Sequence, residues 1–325
     1  MRRIHVLGDL NLDLVLAGLA TLPSLGEEIL AREHSFKAGG SAANVAVVLA
    51  LCGAPVRLFA CVGRDPVGNL VLEYLRGLGL STATVRRLSG VPTGVTVALS
   101  YPQERMYVTS PGTVSRSGLD SFKRGYLRPG AHLHLASFFL QEQLRGRVGE
   151  LLARAGEAGM STSLDPGGDP RLRWELGELE PVLPHLDWFL PNESEICALA
   201  RNGSPEEAIL DIGERFRAAR ANRVSNGHPF GMVIKAGAGG ARLWQANATR
   251  RFPAVEAPVV DTSCAGDCFD AGFLFALARG DTVEKAVEAG NRLGALGASC
   301  LGLPTRKLLR SRGPRAKSRR GSPDT

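Results

Sequence analysis

Short apolar runs alternate with longer amphipathic segments along most of the chain. Runs of strand length occupy 4–8, 58–63 and 188–190, whereas 66–77 and 144–158 carry apolar residues at helical spacing. Further apolar runs of strand length lie at 132–140, 161–164 and 232–235. This alternation favours an α/β fold in which helices cover both faces of a mostly parallel sheet.

Two segments depart from that pattern. Residues 14–37 alternate weakly and contain Pro23 and Gly26, which is typical of strands joined by a turn. Residues 93–100 and 105–109 have the pattern of a hairpin. We therefore expect a small separate β layer.

Residues 38–56 carry no charge, yet they do not resemble a membrane span. The run is interrupted by polar and helix-breaking residues, which are Gly39, Gly40, Ser41, Asn44, Gly53 and Pro55. A buried helix over about 42–52 fits better, and we expect no membrane segment.

The most informative stretch is Val259–Phe269. The pattern predicts a strand ending at Val259 and Val260, a turn of small and hydroxyl residues, and a helix from Ala265 to about Arg279. The first turn of such a helix leaves backbone N–H groups without partners and so favours an anion.

Asp267 lies in that first turn, beside Cys264, Ala265 and Gly266. Small side chains there let an anion approach the backbone. A carboxylate next to an anion site can accept a proton from a hydroxyl while the site stabilises the transferred group. Simple helix capping by Asp267 is the alternative.

Polar residues also follow the first predicted strand. Asn11 and Asp13 are two apart, so on an extended segment they point the same way and suit the hydroxyls of a sugar. A polar loop at a strand end would have the same composition. Gly39 and Gly40 permit close approach of a ligand to the backbone, and Asn44 can reach the same pocket.

Two further stretches suit phosphates and a divalent ion. Asn192 and Glu195 are three apart at a helix start, where they could hold a hydrated divalent ion or form a capping box. Residues 235–240 form a glycine-rich turn after a strand, but not G-x-G-x-x-G. The dipeptide Gly-Lys is absent from the chain, which excludes a Walker P-loop.

The net charge of +7 over 325 residues is concentrated at the C-terminus. Residues 306–325 contain eight basic residues and one acidic residue, so the rest of the chain is neutral. We expect residues 305–325 to be a disordered basic tail. Nucleic-acid binding through this tail is an alternative function of a different class.

The six cysteines show no paired metal spacing, so we expect reduced thiols in a cytoplasmic protein. His132 and His134 share a strand face, but no third ligand is near in sequence. We interpret both histidines as structural.

Three motifs together resemble the PfkB, or ribokinase-like, carbohydrate kinases. They are Gly39–Ala46, Asn192–Glu195 and Asp261–Phe269, and they occur in the family's order and spacing. The resemblance spans roughly residues 3–304. It implies a kinase domain over 1–304 built as a three-layer α/β/α sandwich, with a β lid from about 12–38 and 93–110.

The resemblance implies ATP-dependent transfer of the γ-phosphoryl group to a hydroxymethyl group of a sugar. Asp267 matches the catalytic base, and the backbone from Cys264 to Asp267, including Ala265 and Gly266, matches the anion hole. The sugar-contacting positions match Asn11, Asp13, Gly39, Gly40 and Asn44.

The remaining family positions concern the nucleotide and the ions. The nucleotide pocket matches Asn192, Lys235, Gly237, Gly240 and Asn291. Glu195 matches a residue that acts on Mg²⁺ through water, and Asp261 with Ser263 matches part of a K⁺ site seen in many relatives. We also expect a homodimer formed through the lid.

Two departures from the family pattern affect these expectations. Most relatives have Gly where this chain has Cys264, which favours an oxidation-sensitive enzyme. Ser41 and Ala42 stand at the variable places of the glycine motif, so ribokinase itself is not assured. A nucleoside kinase of the same family is the alternative, although it would call for aromatic lid residues that are few here.

Overall fold

The computed structural model describes residues 1–21, 23–101, 105–116, 118–221 and 227–312. The strands are β1 Ile4–Leu7, β2 Asn11–Ala17, β3 Glu33–Gly39, β4 Val56–Phe59, β5 Cys61–Gly63, β6 Arg86–Leu88, β7 Gly94–Ser100, β8 Arg105–Ser110, β9 His132–Leu135, β10 Ser161–Leu164, β11 Trp188–Phe189, β12 Gly231–Lys235, β13 Ala241–Gln245 and β14 Ala248–Phe252. The helices are α1 Ser41–Leu51, α2 Pro66–Gly77, α3 Glu142–Glu157, α4 Glu193–Ala200, α5 Pro205–Ala221, α6 Ala265–Arg279, α7 Val283–Ala298 and α8 Arg306–Arg312.

Eight strands form one sheet in the order β14-β13-β12-β11-β10-β9-β1-β4. Neighbours among β4, β1, β9, β10, β11 and β12 pair in parallel. Strands β13 and β14 extend the sheet beyond β12 in antiparallel pairing. Two apolar cores cover its faces. One core packs α1, α6 and α7 against one face, and the other packs α3, α4 and α5 against the opposite face. The predicted α/β/α sandwich is confirmed.

A second sheet has the order β3-β2-β7-β8 and occupies the two segments predicted for the lid. Strand β2 pairs antiparallel with β3 and parallel with β7, and β7 pairs antiparallel with β8. Side chains alternate across this sheet, so one face is apolar and the other is polar. We call this sheet the lid sheet.

Three predicted strands differ from the structure. The run 58–63 divides between β4 in the large sheet and β5, which pairs with β6. The run 132–140 is a strand only to Leu135, because Ser137 is left-handed (φ 56°) and starts a 3₁₀ turn. The strand predicted to end at Val260 is absent, since residues 253–260 form no strand. Val259 is 74% exposed, and the backbone N–H groups of Val260 and Asp261 instead donate to the Ala298 carbonyl at 2.8 and 3.0 Å.

The predicted disordered tail begins too early. Residues 306–312 form α8, and Leu309 is 4% exposed within the core that also contains residues of α1 and α2. Leu308 packs against the same core, so α8 buries apolar side chains against the domain. Residues 313–325 lie outside the described residues.

Within the described ranges, no helix is both long enough and apolar enough to cross a bilayer. The apolar run over 38–56 contributes α1, whose buried residues lie between α6 and the sheet. The prediction of a buried helix there is confirmed.

Candidate active site

The Asp267 carboxylate lies where α6 meets the start of α1. Ser41 Oγ donates to Asp267 Oδ1 at 2.6 Å, and Asn44 Nδ2 donates to Asp267 Oδ2 at 2.7 Å. Loss of hydration on burial raises the pKa of Asp267 to about 7, although these two hydrogen bonds oppose the rise. The carboxylate therefore bonds to the neighbouring helix, which does not fit the capping interpretation.

The first turn of α6 leaves backbone donors open. Cys264 is the N-cap residue, and no side chain caps this helix. Ala265 N–H donates to the Thr262 carbonyl at 3.1 Å, so it is not available to an anion as predicted. Within the described part of the chain, the N–H groups of Cys264, Gly266 and Asp267 have no acceptor. These three donors form the candidate anion hole.

Asp9, which the sequence analysis did not single out, positions the start of α1. Its two carboxylate oxygens accept from Ser41 N–H at 3.0 Å and Ala42 N–H at 2.9 Å. Gly40 precedes them with φ 100°, and a methyl group on Gly40 would lie 2.7 Å from the Asp9 carbonyl oxygen. This position therefore requires glycine. The signal that could have found Asp9 is a carboxylate directly after β1.

Asn11 and Asp13 share one face of the lid sheet, as predicted. Asn11 Nδ2 donates to Asp13 Oδ1 at 2.6 Å and to Thr96 Oγ1 at 3.0 Å. Asp13 lies over the Gly39 backbone, because a methyl group on Gly39 would be 2.2 Å from its carboxylate. Burial raises the pKa of Asp13 to about 6. The structure thus brings the predicted sugar residues to the edge where Asn44 holds Asp267.

Asn192 and Glu195 form the capping box of α4. Glu195 N–H donates to Asn192 Oδ1, and Asn192 N–H donates to Glu195 Oε2, both at 2.8 Å. Burial, reinforced by Asp165, raises the pKa of Glu195 to about 7. The structure shows the capping arrangement, and a role with a divalent ion stays a prediction.

Lys235 ends β12 next to Asn192 and carries a buried ammonium group. Its Nζ lies 2.7 Å from Asp165 and 3.3 Å from Asp270. Although burial opposes it, the Lys235 charge lowers the pKa of Asp165 to about 2, whereas burial raises the pKa of Asp270 well above its usual range. A methyl group on Gly266 would lie 3.9 Å from Lys235 Nζ, so this cation stands next to the anion hole.

The sequence analysis missed Asp165 and Asp270. Asp165 comes just after β10, as Asp9 comes just after β1, and Asp270 is three residues after Asp267 on α6. Spacing of three on a helix was the available signal for Asp270.

Two of the other predicted nucleotide residues, Asn291 and Gly240, contact the backbone at the end of β14. Asn291 Nδ2 donates to the carbonyls of Phe252 at 3.2 Å and Pro253 at 2.9 Å. A methyl group on Gly240 would lie 2.1 Å from the Phe252 carbonyl oxygen, so the glycine permits this packing. Gly237 (φ 53°) starts the short 3₁₀ turn that ends at Gly240.

Asp261 and Ser263 fix the loop before α6. Asp261 Oδ1 accepts from Ser263 N–H at 2.8 Å and Ser263 Oγ at 2.5 Å, and Asp261 Oδ2 accepts from Gly302 N–H at 3.1 Å. The predicted K⁺ residues therefore adjoin each other and the 297–302 turn.

The residues present fit a divalent ion held mainly by phosphates and water. In the described residues no group of three or more His, Cys, Asp or Glu side chains could enclose a metal. A single carboxylate such as Glu195 is enough for Mg²⁺ that keeps its waters. His132 bonds to Ser161 and Ser163 at 2.7 Å each, and His134 bonds to Ser163 at 2.8 Å, which agrees with a structural role.

Cys264 faces Asn44 Nδ2 at 3.8 Å. Burial, with the nearby Asp267 and Asp261 carboxylates, raises the pKa of this thiol. A thiol held neutral is a poor nucleophile, which opposes the expectation of easy oxidation.

In this sandwich a carboxylate lies beside open helix N–H groups, and a second sheet carries polar side chains that suit sugar hydroxyls. This arrangement is typical of a phosphoryl-transfer enzyme. The model of the pfkB family carbohydrate kinases matches residues 1–306. The chain belongs to this family, and it is a phosphotransferase that acts on a sugar hydroxyl group.

Individual relatives agree with that assignment. The chain is 29% identical over 300 residues to an ATP-dependent ribose-1-phosphate kinase of Halopiger xanaduensis, covering 91% of this chain and 92% of the relative. It is 27% identical over 313 residues to a Bacillus subtilis ribokinase, covering 94% and 97%. A Thermotoga maritima ribokinase structure superposes with a TM-score of 0.75 at 25% identity, covering 96% and 99%. These relatives favour a sugar kinase over the nucleoside-kinase and nucleic-acid-binding alternatives.

Proposed function

We propose that this chain transfers the γ-phosphoryl group of ATP to a hydroxymethyl group of a sugar, with Asp267 accepting the hydroxyl proton. The observation that carries the proposal is the Asp267 carboxylate, held by Ser41 and Asn44 next to the open N–H groups of Cys264 and Gly266.

The chemical step requires little from the protein beyond placement and charge. The acceptor oxygen bonds to the γ-phosphorus, the bond from that phosphorus to the β-γ bridging oxygen breaks, and ADP leaves. The hydroxyl proton goes to the Asp267 carboxylate. Because the transition state is loose, orientation and neutralisation of phosphate charge dominate the rate.

The residues around Asp267 supply those two effects. The N–H groups of the anion hole and the Lys235 ammonium face the transferred group with positive charge. Asn11, Asp13 and Asn44 orient the sugar. Mg²⁺, when bound, neutralises the phosphates, and Glu195 would hold it through water. A lid sheet that excludes water limits ATP hydrolysis.

We also propose that Asp261 and Ser263 belong to a monovalent-ion site. The support is their shared loop, which precedes α6 and is tied to Gly302. A K⁺ ion there would increase the positive potential at the anion hole.

The test is ADP release with ATP and Mg²⁺ on a panel of ribose, ribose 1-phosphate, fructose, 2-keto-3-deoxygluconate, adenosine and inosine, in K⁺ and in tetramethylammonium. We expect turnover on a sugar, stimulated by K⁺, and a loss of roughly 10²- to 10⁴-fold in kcat for Asp267→Asn. Asp211→Asn on the exposed face of α5 is the matched control. Turnover restricted to nucleosides, or full activity of Asp267→Asn, would contradict the proposal.

A further inference from the structure

A row of polar side chains crosses all four strands of the lid sheet. Register places Lys37 opposite Asp13, Asp13 beside Thr96, and Thr96 opposite Thr109. Residues that are directly opposite in a sheet share a face, so these four side chains form one continuous line. We call it the polar row.

The polar row faces the candidate active site. Asn11 bonds to both Asp13 and Thr96, and the Thr96 and Thr109 hydroxyls are 3.0 Å apart. Tyr107 lies two residues from Thr109 on β8 and therefore on the same face. Its Oη donates to Ser263 Oγ at 3.4 Å. The row therefore lies over the loop that leads to Asp267.

Lys37 is the cation at one end of the polar row, and it is half-buried. Its Nζ reaches over the backbone of Gly302, where a methyl group would be 2.8 Å away. Among the described residues, no carboxylate lies within salt-bridge distance of this ammonium group, Asp13 across the strand pair included. The Lys37 charge is felt by Asp13, whose pKa it lowers against the effect of burial, but the two groups form no salt bridge. A half-buried ammonium that no carboxylate bonds directly favours an anionic ligand.

An anionic acceptor could bind among the surrounding carboxylates only if a cation such as Lys37 offset their repulsion. Asp9, Asp13 and Asp267 all lie at this edge of the sheet, and their ionised forms repel a negatively charged sugar. Hydroxyl groups of a neutral sugar already find partners in Asn11, Asp13 and Thr96. Lys37 adds nothing that a hydroxyl requires, whereas it offsets the repulsion felt by an anion.

The distance along β3 suits a sugar. Lys37 precedes Gly39 by two residues, which is roughly 7 Å of strand. Gly39 and Gly40 lead directly into the α1 residues that hold Asp267. An acceptor can thus place one end at Asp267 and the other at Lys37.

We propose that the acceptor carries an anionic group, a phosphate or a carboxylate, at the end remote from the transferred hydroxyl, and that Lys37 Nζ binds it. This inference rests on the proposed sugar-kinase function. It makes Lys37 a residue that determines which sugars are used.

The experiment compares matched acceptors in the wild type, Lys37→Met, Lys37→Arg and the control Lys285→Met, which removes an exposed lysine of α7. Ribose 1-phosphate and ribose form the phosphate pair, and 2-keto-3-deoxygluconate and fructose form the carboxylate pair. ADP release gives kcat and KM, and calorimetry gives binding of each acceptor without turnover.

We expect the wild type to prefer the anionic member of one pair, which also identifies the anion. Lys37→Met should lower the ratio of kcat/KM for anionic over neutral acceptor by roughly 10- to 100-fold, mainly through KM, as loss of a charge-assisted hydrogen bond does. Lys37→Arg should restore most of the ratio, and Lys285→Met should keep it.

The two proposals fail in different ways. Equal use of neutral and anionic acceptors, or an unchanged ratio in Lys37→Met, overturns the role of Lys37 and leaves the sugar kinase intact. Binding of an anionic acceptor that depends on Lys37, without ADP release, supports the anion site and contradicts the kinase. Absence of binding by every anionic acceptor overturns the anion site.

Discussion

At the scale of single residues, two buried carboxyl groups set the pH response. Burial raises the pKa of Asp267 to about 7 and that of Glu195 to about 7. If Asp267 is the base, as proposed, it must be ionised to accept a proton, so activity decreases as the pH falls below its pKa. The Asp13 carboxyl, raised to about 6, titrates just below.

We therefore expect kcat/KM to be level above pH 8 and to fall by at least about tenfold per pH unit below pH 7. An ordinary aspartate would remain ionised to about pH 4. Rates measured from pH 5 to 9 give the slope, which should decrease toward one proton in Glu195→Gln. A profile that stays level down to pH 5 would contradict an Asp267 pKa near 7.

Cys264 provides a second residue-scale prediction. Because burial and the Asp267 carboxylate raise its thiol pKa, iodoacetamide at pH 7.5 should label Cys264 at least about tenfold more slowly than free cysteine. Mass spectrometry of the α6 peptide measures the rate. Rapid labelling of Cys264 with parallel loss of activity would restore the interpretation of an oxidation-sensitive enzyme.

At the scale of elements, the site depends on how α1 begins. Asp9 caps α1 from the end of β1, and α1 then presents Ser41 and Asn44 to Asp267. Helix α2 has a comparable cap, since Asp65 accepts from Gly68 N–H and Thr93 N–H at 2.7 Å each. Helix α2 carries none of the proposed catalytic side chains.

Removing the two caps should separate stability from catalysis. We expect Asp9→Ala and Asp65→Ala each to lower the free energy of unfolding by roughly 1–2 kcal/mol. Only Asp9→Ala should also lower kcat, by about 10- to 100-fold, because it displaces the groups that hold Asp267. Urea denaturation and ADP release measure the two effects. Equal loss of kcat in both variants would show that the start of α1 has no particular role.

At the scale of the whole molecule, the second face of the lid sheet is only partly covered. Leu12 and Ala38 on this face are buried in the core, whereas the next row along the strands is exposed at its ends. Register aligns Phe36, Leu14, Val97 and Val108 in one row on this face. Phe36 is 49% exposed and Val108 is 62% exposed. An apolar row that crosses a sheet and remains exposed is typical of a protein interface.

We expect a homodimer formed through this row, which would also hold each lid sheet against its own active site. Light scattering after gel filtration should give twice the chain mass for the wild type at micromolar concentration, and the single mass for Val108→Lys. Leu210→Lys on α5 changes an apolar residue that is 52% exposed and should remain dimeric. A monomeric wild type would exclude the dimer.

The sequence alone determined the alternation of strands and helices, the buried α1, and the motifs around Gly39 and Asp267, because local periodicity and glycine requirements are properties of neighbouring residues. It also placed Asn11 beside Asp13, since a strand repeats every two residues.

Contacts between distant segments were decided only by the tertiary structure. The bond from Asn44 to Asp267 spans 223 residues, and Lys235 meets Asp165 across 70. Likewise, the predicted strand at Val259 is absent because the N–H groups of Val260 and Asp261 donate to the Ala298 carbonyl, a contact that the local pattern does not reveal. The polar row with Lys37 arises from the register of four strands. Such pairings follow from how the sheets close over the cores, so they have no signature in the order of residues.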